Sequence, residues 1–398
     1  MRIVHEPGQP TAAAAAPARA WLAVSSVALG TFAMVTSEFL PIGLLGAMAQ
    51  DMGVAEGHAG LMVTVPGFTA AFAAPAVALL AGRLDRRIVL LLLSALVLAA
   101  DLVVAGAHGF GMLLAGRVLL GLCVGGFWAF AAAVGRRLVP EASGDRATAI
   151  VLAGISAGTV LGVPMATALG NHLGWRGAFV VVALLALATG LAQLALLPSL
   201  PGGEGPGPRS LPALLRNRVL ATGLGAAALV AGGHFIAYTY LAPFLAHVAG
   251  FGGAAISLAL AAYGAAGIAG TFAGERLAAN GLRPAFAAVG MLLAVAIGGL
   301  ALAGAHPLWA GLLVTLWGLA FGAVPVCVQL WVFRAAPRHA ETSAALMVTV
   351  FQLALAAGAG AGGWLVDHAG LRAAYAAGAL TALLAVLLLV TFRPAQAA

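Results

Sequence analysis

A chain of 398 residues that is 63% hydrophobic and only 8% charged has too little polar surface to cover itself in water, so it belongs in a bilayer. Its formal net charge of +7 rests on 19 basic residues, every one an arginine. Without lysine the chain has no Walker A phosphate loop and no lysine Schiff base or general base, so its energy source is an ion gradient or a separate protein.

Residues 1–20 read as a tail. Apolar runs of spanning length, about 20 residues, follow near 21–46, 58–81, 88–106, 110–135, 147–170 and 176–197. A Pro- and Gly-rich stretch, 198–216, reads as a linker. A second set of runs falls near 217–246, 252–273, 284–304, 307–333, 341–366 and 371–392, with a tail at 393–398. The fold class is therefore an all-α integral membrane protein of twelve transmembrane helices in two six-helix halves, 21–197 and 217–392. An even number of spans puts both termini on one side. With that side cytoplasmic, sixteen of the nineteen arginines lie inside, Arg176 and Arg372 outside, and Arg117 in the membrane. The same bias explains a pI of about 10.6 without nucleic acid. Ala47-Met48-Ala49 has the small-x-small pattern of a signal-peptide site, but the apolar run before it is about twice an h-region, so it reads as a span. Cys123 and Cys327 sit in apolar runs and read as packing residues.

The halves repeat. "LGNHLGWRGAF" (Leu169 to Phe179) aligns with "LVDHAGLRAAY" (Leu365 to Tyr375) at an offset of 196, and Gly121, Gly125, Pro140 and Ala147 align with Gly318, Gly322, Pro337 and Ala344 at 197. Duplicated helical halves with a site between them at mid-membrane are a transporter architecture.

Three stretches carry further signals. The loop "GRLDRR" places Gly82, Asp85 and Arg86 at a helix junction, where a charge cluster can latch one conformation. A solvated turn is its plainer reading. The fourth span holds Arg117 inside the membrane, with Gly121 one turn on, and a buried arginine needs a partner or an aqueous cavity. The fifth span carries Gly158, Gly162 and Pro164, which flatten one helix face and bend it. Together with Gly174-Trp175-Arg176, these stretches resemble the successive signatures of the major facilitator superfamily, in particular its twelve-span drug/proton antiporter branch. "EFLPIGLL", "GLCVGGFWAF", "LPSLPG" and "LWGLAFGAVPV" are similar to the bacterial purine ribonucleoside and arabinose efflux permeases. The resemblance implies antiport associated with Gly158, Gly162 and Pro164, and a proton or substrate role for a carboxylate in the first span, here Glu38. The "GRLDRR" loop departs from the usual pattern, because Arg87 runs straight into Ile88.

Glu38 stands alone in the apolar run from Trp21 to Met48. At 1.5 Å per residue it lies about 12 Å below the outer end of its span, while Arg117 and Asp101 lie about 10 and 8 Å deep. One layer thus holds two acids and an arginine. Burial favours a neutral carboxyl and a nearby arginine favours an ionised one, so Glu38 can exchange a proton. Its alternative is a permanent ion pair with Arg117 that only orients helices. Asp101 reads equally as a helix-end polar residue or a second proton carrier. Candidate cavity residues are Trp128, His234, Tyr238, Tyr240, Trp317, Gln329, Trp331 and Gln352, whose rings and amides suit a flat nucleobase or an aromatic drug. Tyr240 matches Glu38 when the halves are aligned on Pro41 and Pro243, and a structural hydrogen bond is the plainer reading of His234. No grouping has metal spacing and no cofactor is expected.

The expected protein is not an enzyme but a secondary transporter of a bacterial inner membrane, a monomer with both termini cytoplasmic. It exports a small solute against protons. Purine nucleosides come first, with a sugar or a chloramphenicol-like antibiotic as alternatives. The membrane subunit of an ATP-driven transporter is the alternative of another class.

Overall fold

The computed structural model describes residues 18–80, 84–202, 216–336 and 340–392. The described residues form α1 (Ala18–Met52), α2 (Glu56–Ala59), α3 (Leu61–Leu80), α4 (Arg86–Ala105) and α5 (Phe110–Arg137). Next comes the run Gly144–Leu196, which Gly174 at φ 71° divides into α6 (144–173) and α7 (175–196). The second half holds α8 (Arg218–Tyr238), α9 (Leu241–His247), α10 (Gly253–Ala279), α11 (Leu282–Ala303), α12 (Pro307–Ala335), α13 (Ala340–Ala369) and α14 (Leu371–Thr391).

Among the described residues ten unbroken helical runs are long and apolar enough to cross a bilayer. One of them, within 144–196, holds two crossings, and α3 supplies another, so the described residues make twelve spans. The main departure from the sequence reading is the seventh span, which breaks between α8 and α9 at Thr239 and Tyr240. Pro243 has no N–H to give the carbonyl of Thr239, four residues back, and the helix opens there.

The backbone repeats as the sequence does. Gly174 and Gly370, 196 apart, have φ 71° and 84°, and Gly53 and Gly250, 197 apart, have 67° and 70°. No residue with a Cβ adopts these left-handed values without strain, so each pair fixes the same helix stop in both halves. The contacts repeat too. Gly121 and Gly125 of α5 lie against Pro66 and Ala70 of α3, as Gly318 and Gly322 of α12 lie against Tyr263 and Gly267 of α10. Within the halves α1 packs on α6 and α3 on α5, while α8 packs on α13 and α14. Between them α3 meets α13 and α6 meets α10.

Asp85 caps α4. Its carboxylate accepts from the N–H of Arg87 (2.8 Å), from the Ser199 hydroxyl (2.5 Å) and from the N–H of Leu200 (2.9 Å). Arg86 lies over the ring of Phe130 at 4.4 Å, and its N–H donates to the Leu200 carbonyl. Asp85 and Arg86 thus tie the start of the third span to the chain leaving the sixth; Gly82 lies outside the described residues. The Ser199 hydroxyl and Leu200 amide hold Asp85 below the usual carboxylate range. A lowered value means that this stabilisation is present above the unfolded value and lost only as pH falls through the lower, folded one. Asp85→Ala should therefore cost about 1 kcal/mol, the usual worth of a cap, by the same amount at pH 7 and pH 5 in thermal melts of the purified protein.

Candidate functional site at mid-membrane

Two prolines organise the site. Pro41 of α1 has no N–H for the carbonyl of Ser37, and Pro66 of α3 has none for that of Met62. Arg117 of α5 supplies both. Its Nη1 donates to the Ser37 carbonyl (2.9 Å), its Nε to the Met62 carbonyl (2.7 Å), and its Nη2 to the carbonyl of Glu38 (2.7 Å). The arginine is completely buried and spends its donors on main chain, stitching three spans together at their kinks. The direct ion pair with Glu38 weighed as an alternative is not what forms. Gly121, one turn along α5, lets the helix approach Pro66 closely enough for this reach.

Glu38 and Asp101 flank the guanidinium in different surroundings. Glu38, 4% exposed, lies at the seam between the halves, where its Oε1 accepts from Nε2 of Gln352 on α13 (3.2 Å). Asp101, 1% exposed, lies inside the first half, and its Oδ1 accepts from the Ser37 hydroxyl (2.5 Å). Its Oδ2 is buried without a partner. The fifth-span motif sets this layer from behind: Gly158 faces Phe32 and Val35 of α1, and Gly162 faces Thr36. Pro164 vacates the carbonyl of Val160, which faces Gly264 of α10 across the seam.

The cavity candidates separate into groups. Trp128 lies on the face of α5 that carries Arg117, about three turns closer to the end of the molecule that bears the termini, and is 38% exposed. Gln329 is exposed and Gln352 sits at Glu38. The others, Tyr240 excepted, fill the core of the second half. His234 accepts at Nδ1 from Trp317 Nε1 (3.0 Å) and stacks on Phe321 and Tyr238, while its Nε2 is buried without a partner among the described residues. Trp331 donates to the Val219 carbonyl (2.8 Å) and packs on Phe286. Tyr240 is not at the depth of Glu38, as the proline alignment suggested, because Pro41 and Pro243 are 202 apart while the halves repeat at 196–197, an offset that pairs Glu38 with His234 or Phe235. Tyr240 lies toward the end of the molecule that carries α2 and α9, where its hydroxyl donates to the carbonyl of Ala359 (2.9 Å) and contacts that of Gly57 (3.3 Å). The aromatic faces at the seam are instead Phe39, stacked on Phe235 at 6.2 Å and 8°, and Phe351, edge-on to Phe235. The sequence reading missed Phe39 and Phe235 because nothing in an apolar run marks which ring faces a seam.

At the far end the halves are clasped. The N–H of Gly57 donates to Asp367 (2.8 Å), and Glu56 meets His247 at 3.1 Å. Among the described residues no His, Cys, Asp and Glu grouping could hold a metal ion.

Apolar spans in two duplicated halves, with a buried carboxyl at the seam between them, are the architecture of a membrane transporter. The family model for the Major Facilitator Superfamily matches residues 27–359, and the chain belongs to that superfamily. It is 34% identical over 351 residues to the purine ribonucleoside efflux pump NepI of Salmonella typhimurium, covering 88% of each chain. It is 37% identical over 372 residues to OpdE of Pseudomonas aeruginosa, called a transcription regulatory protein, covering 92% of each. Among solved structures it is similar to a bacterial homologue of the human lysosomal transporter Spinster in an inward-facing, unoccupied conformation, with a TM-score of 0.73, 18% identity and 94% and 95% of the two chains covered. It is also similar to the human organic anion transporter MFSD10, at 0.68 and 20%, covering 94% and 100%. The protein is a secondary transporter, not an enzyme.

Proposed function

We propose that this transporter exports purine nucleosides in exchange for protons, with Glu38 as the exchanging carboxyl. The observation that carries the reading is the placement of Glu38 at the seam, bonded to Gln352 of the opposite half. A proton or a solute that competes for that carboxyl also changes a contact between the halves, which is what coupling by alternating access requires. Phe39, Phe235 and Phe351, with Trp128 nearer the termini, offer ring faces to a nucleobase, and Gln352 and Glu38 offer hydrogen bonds. The similarity to a purine ribonucleoside efflux pump supports the choice of solute. Arg117 and Asp101 complete the proton-coupling layer. Gly158, Gly162 and Pro164 let the antiporter helix slide against α1, and Asp85 and Arg86 latch the termini end.

In this reading the protein is a monomer in a bacterial inner membrane. The tails, 1–20 and 393–398, and the linker, 198–216, face the cytoplasm, and the halves 21–197 and 217–392 rock about the seam. Everted vesicles energised by respiration test it by dye-reported internal pH. Inosine should release protons from wild-type vesicles, with the signal at least about tenfold smaller for Glu38→Gln. An equal response from the variant refutes the role of Glu38. A response only to arabinose or chloramphenicol moves the solute class, and export that survives an uncoupler but stops with vanadate replaces antiport by an ATP-driven partner.

A further inference from the structure

We infer that Asp101 holds a resident proton and stays a neutral carboxylic acid throughout the cycle, so that the constellation exchanges one proton per solute, at Glu38. The inference rests on the antiport reading for its count and on geometry for its charge state. Asp101 is 1% exposed and its Oδ2 has no partner. An ionised carboxylate left with a bare buried oxygen loses its hydration with nothing to replace it, whereas a proton on that oxygen removes the charge. Among the described residues the one partner of the other oxygen is the Ser37 hydroxyl, a neutral group. Arg117 gives Asp101 no charge-assisted bond, since its nitrogens are bonded to the carbonyls of Met62, Ser37 and Glu38.

Charge balance points the same way. Among the described residues, the charged groups of this layer are Arg117 on α5, Glu38 on α1 and Asp101 on α4. Cys123 of α5 donates its Sγ hydrogen to the Leu93 carbonyl of α4 (3.2 Å), and Gln193 of α7, which accepts from the Ser94 hydroxyl of α4 (2.9 Å), carries no charge. One guanidinium balances one carboxylate, so in a layer closed to water one acid carries a proton. Exchange also needs a way out. Glu38 lies on the seam where the halves part, while Asp101 is walled in by α1, α4 and α5. The neutral acid then keeps the layer at zero charge when Glu38 is ionised and lets Ser37 anchor α1 to α4 at the level of the exchanging group. Asp101 is thus a positioning residue.

Two measurements on the full-length protein in nanodiscs decide it. Infrared spectra at neutral pH should contain a carboxylic-acid C=O band that Asp101→Asn removes and Glu38→Gln keeps. Calorimetry of inosine binding in buffers of different ionisation enthalpy should count one proton released by wild type, one by Asp101→Asn and none by Glu38→Gln. A count of two that falls to one in Asp101→Asn overturns the inference, as does the absence of any carboxylic-acid band in the wild type at neutral pH, which needs no variant to fold and no solute to bind. Inosine binding without proton release sinks the antiport reading instead, leaving the band to judge Asp101.

Discussion

Arg117→Met should lower the stability of the protein by about 3–5 kcal/mol, the cost of removing one partner from a buried charged network, and Pro41→Ala with Pro66→Ala in the same chain should recover a large part of it. The loss has a main-chain origin. Without the guanidinium, the carbonyls of Ser37 and Met62 are buried with no donor, because the residues four positions on are prolines. Each orphaned carbonyl costs about 1–3 kcal/mol. Alanine at 41 and 66 restores the two N–H groups within α1 and α3, so both carbonyls are satisfied without the arginine. The Glu38 carbonyl and the positive charge are not replaced, so the triple variant should melt close to wild type yet transport poorly. Thermal melting in detergent, followed by tryptophan fluorescence, reads the first part and vesicle export the second. If the proline substitutions recover no stability, Arg117 acts through the carboxylates and not through the carbonyls.

Much of this molecule is legible in its sequence, for physical reasons that differ from place to place. The spans follow from apolar length alone. The duplication follows from glycines that must take left-handed turns, so Gly174 and Gly370 keep their places in both halves. Glu38, Asp101 and Arg117 stand out because an ionisable group inside a span is expensive, and depth counting along straight helices puts them in one layer. What depth counting cannot supply is direction. Depth alone pairs Arg117 with carboxylates, although the signal for its carbonyl partners is present, since each proline marks an acceptor four residues before it. The misplacement of Tyr240 has another root: Pro41 and Pro243 are 202 apart while the halves repeat at 196–197, so an alignment on the prolines slips the second half by more than one helical turn. The clasp of Gly57 to Asp367 joins residues 310 apart in the chain and leaves no local pattern to read.

Gly57→Leu should arrest transport by preventing that clasp from closing. Gly57 sits in a tight contact between the halves, where an added Cβ would fall inside the carbonyl of Gly363 and the carboxylate of Asp367. Both are backbone or anchored groups, because the Asp367 carboxylate accepts the N–H of Gly57 itself and Gly363 lies in α13. A leucine there overpacks one conformation and leaves the opposite one, in which the halves part at this end, unaffected. Overpacking of about 3 kcal/mol lowers the population of the closed state roughly a hundredfold, at about 1.4 kcal/mol per tenfold. Export should fall in step, since every cycle passes through that state. The same shift should expose the crevice of about 210 Å³ that runs between α1, α6, α9 and α10 beside Glu56 and His247. A single cysteine at Ile256, 8% exposed in the closed form, placed in a chain with Cys123 and Cys327 replaced by alanine, should then react faster with a maleimide that cannot cross the membrane. Asp367→Ala removes the bond without adding bulk and should give a smaller shift in the same direction. Wild-type labelling and export in Gly57→Leu would mean that the halves do not part at this end, and the clasp would be a permanent hinge about which only the termini end opens.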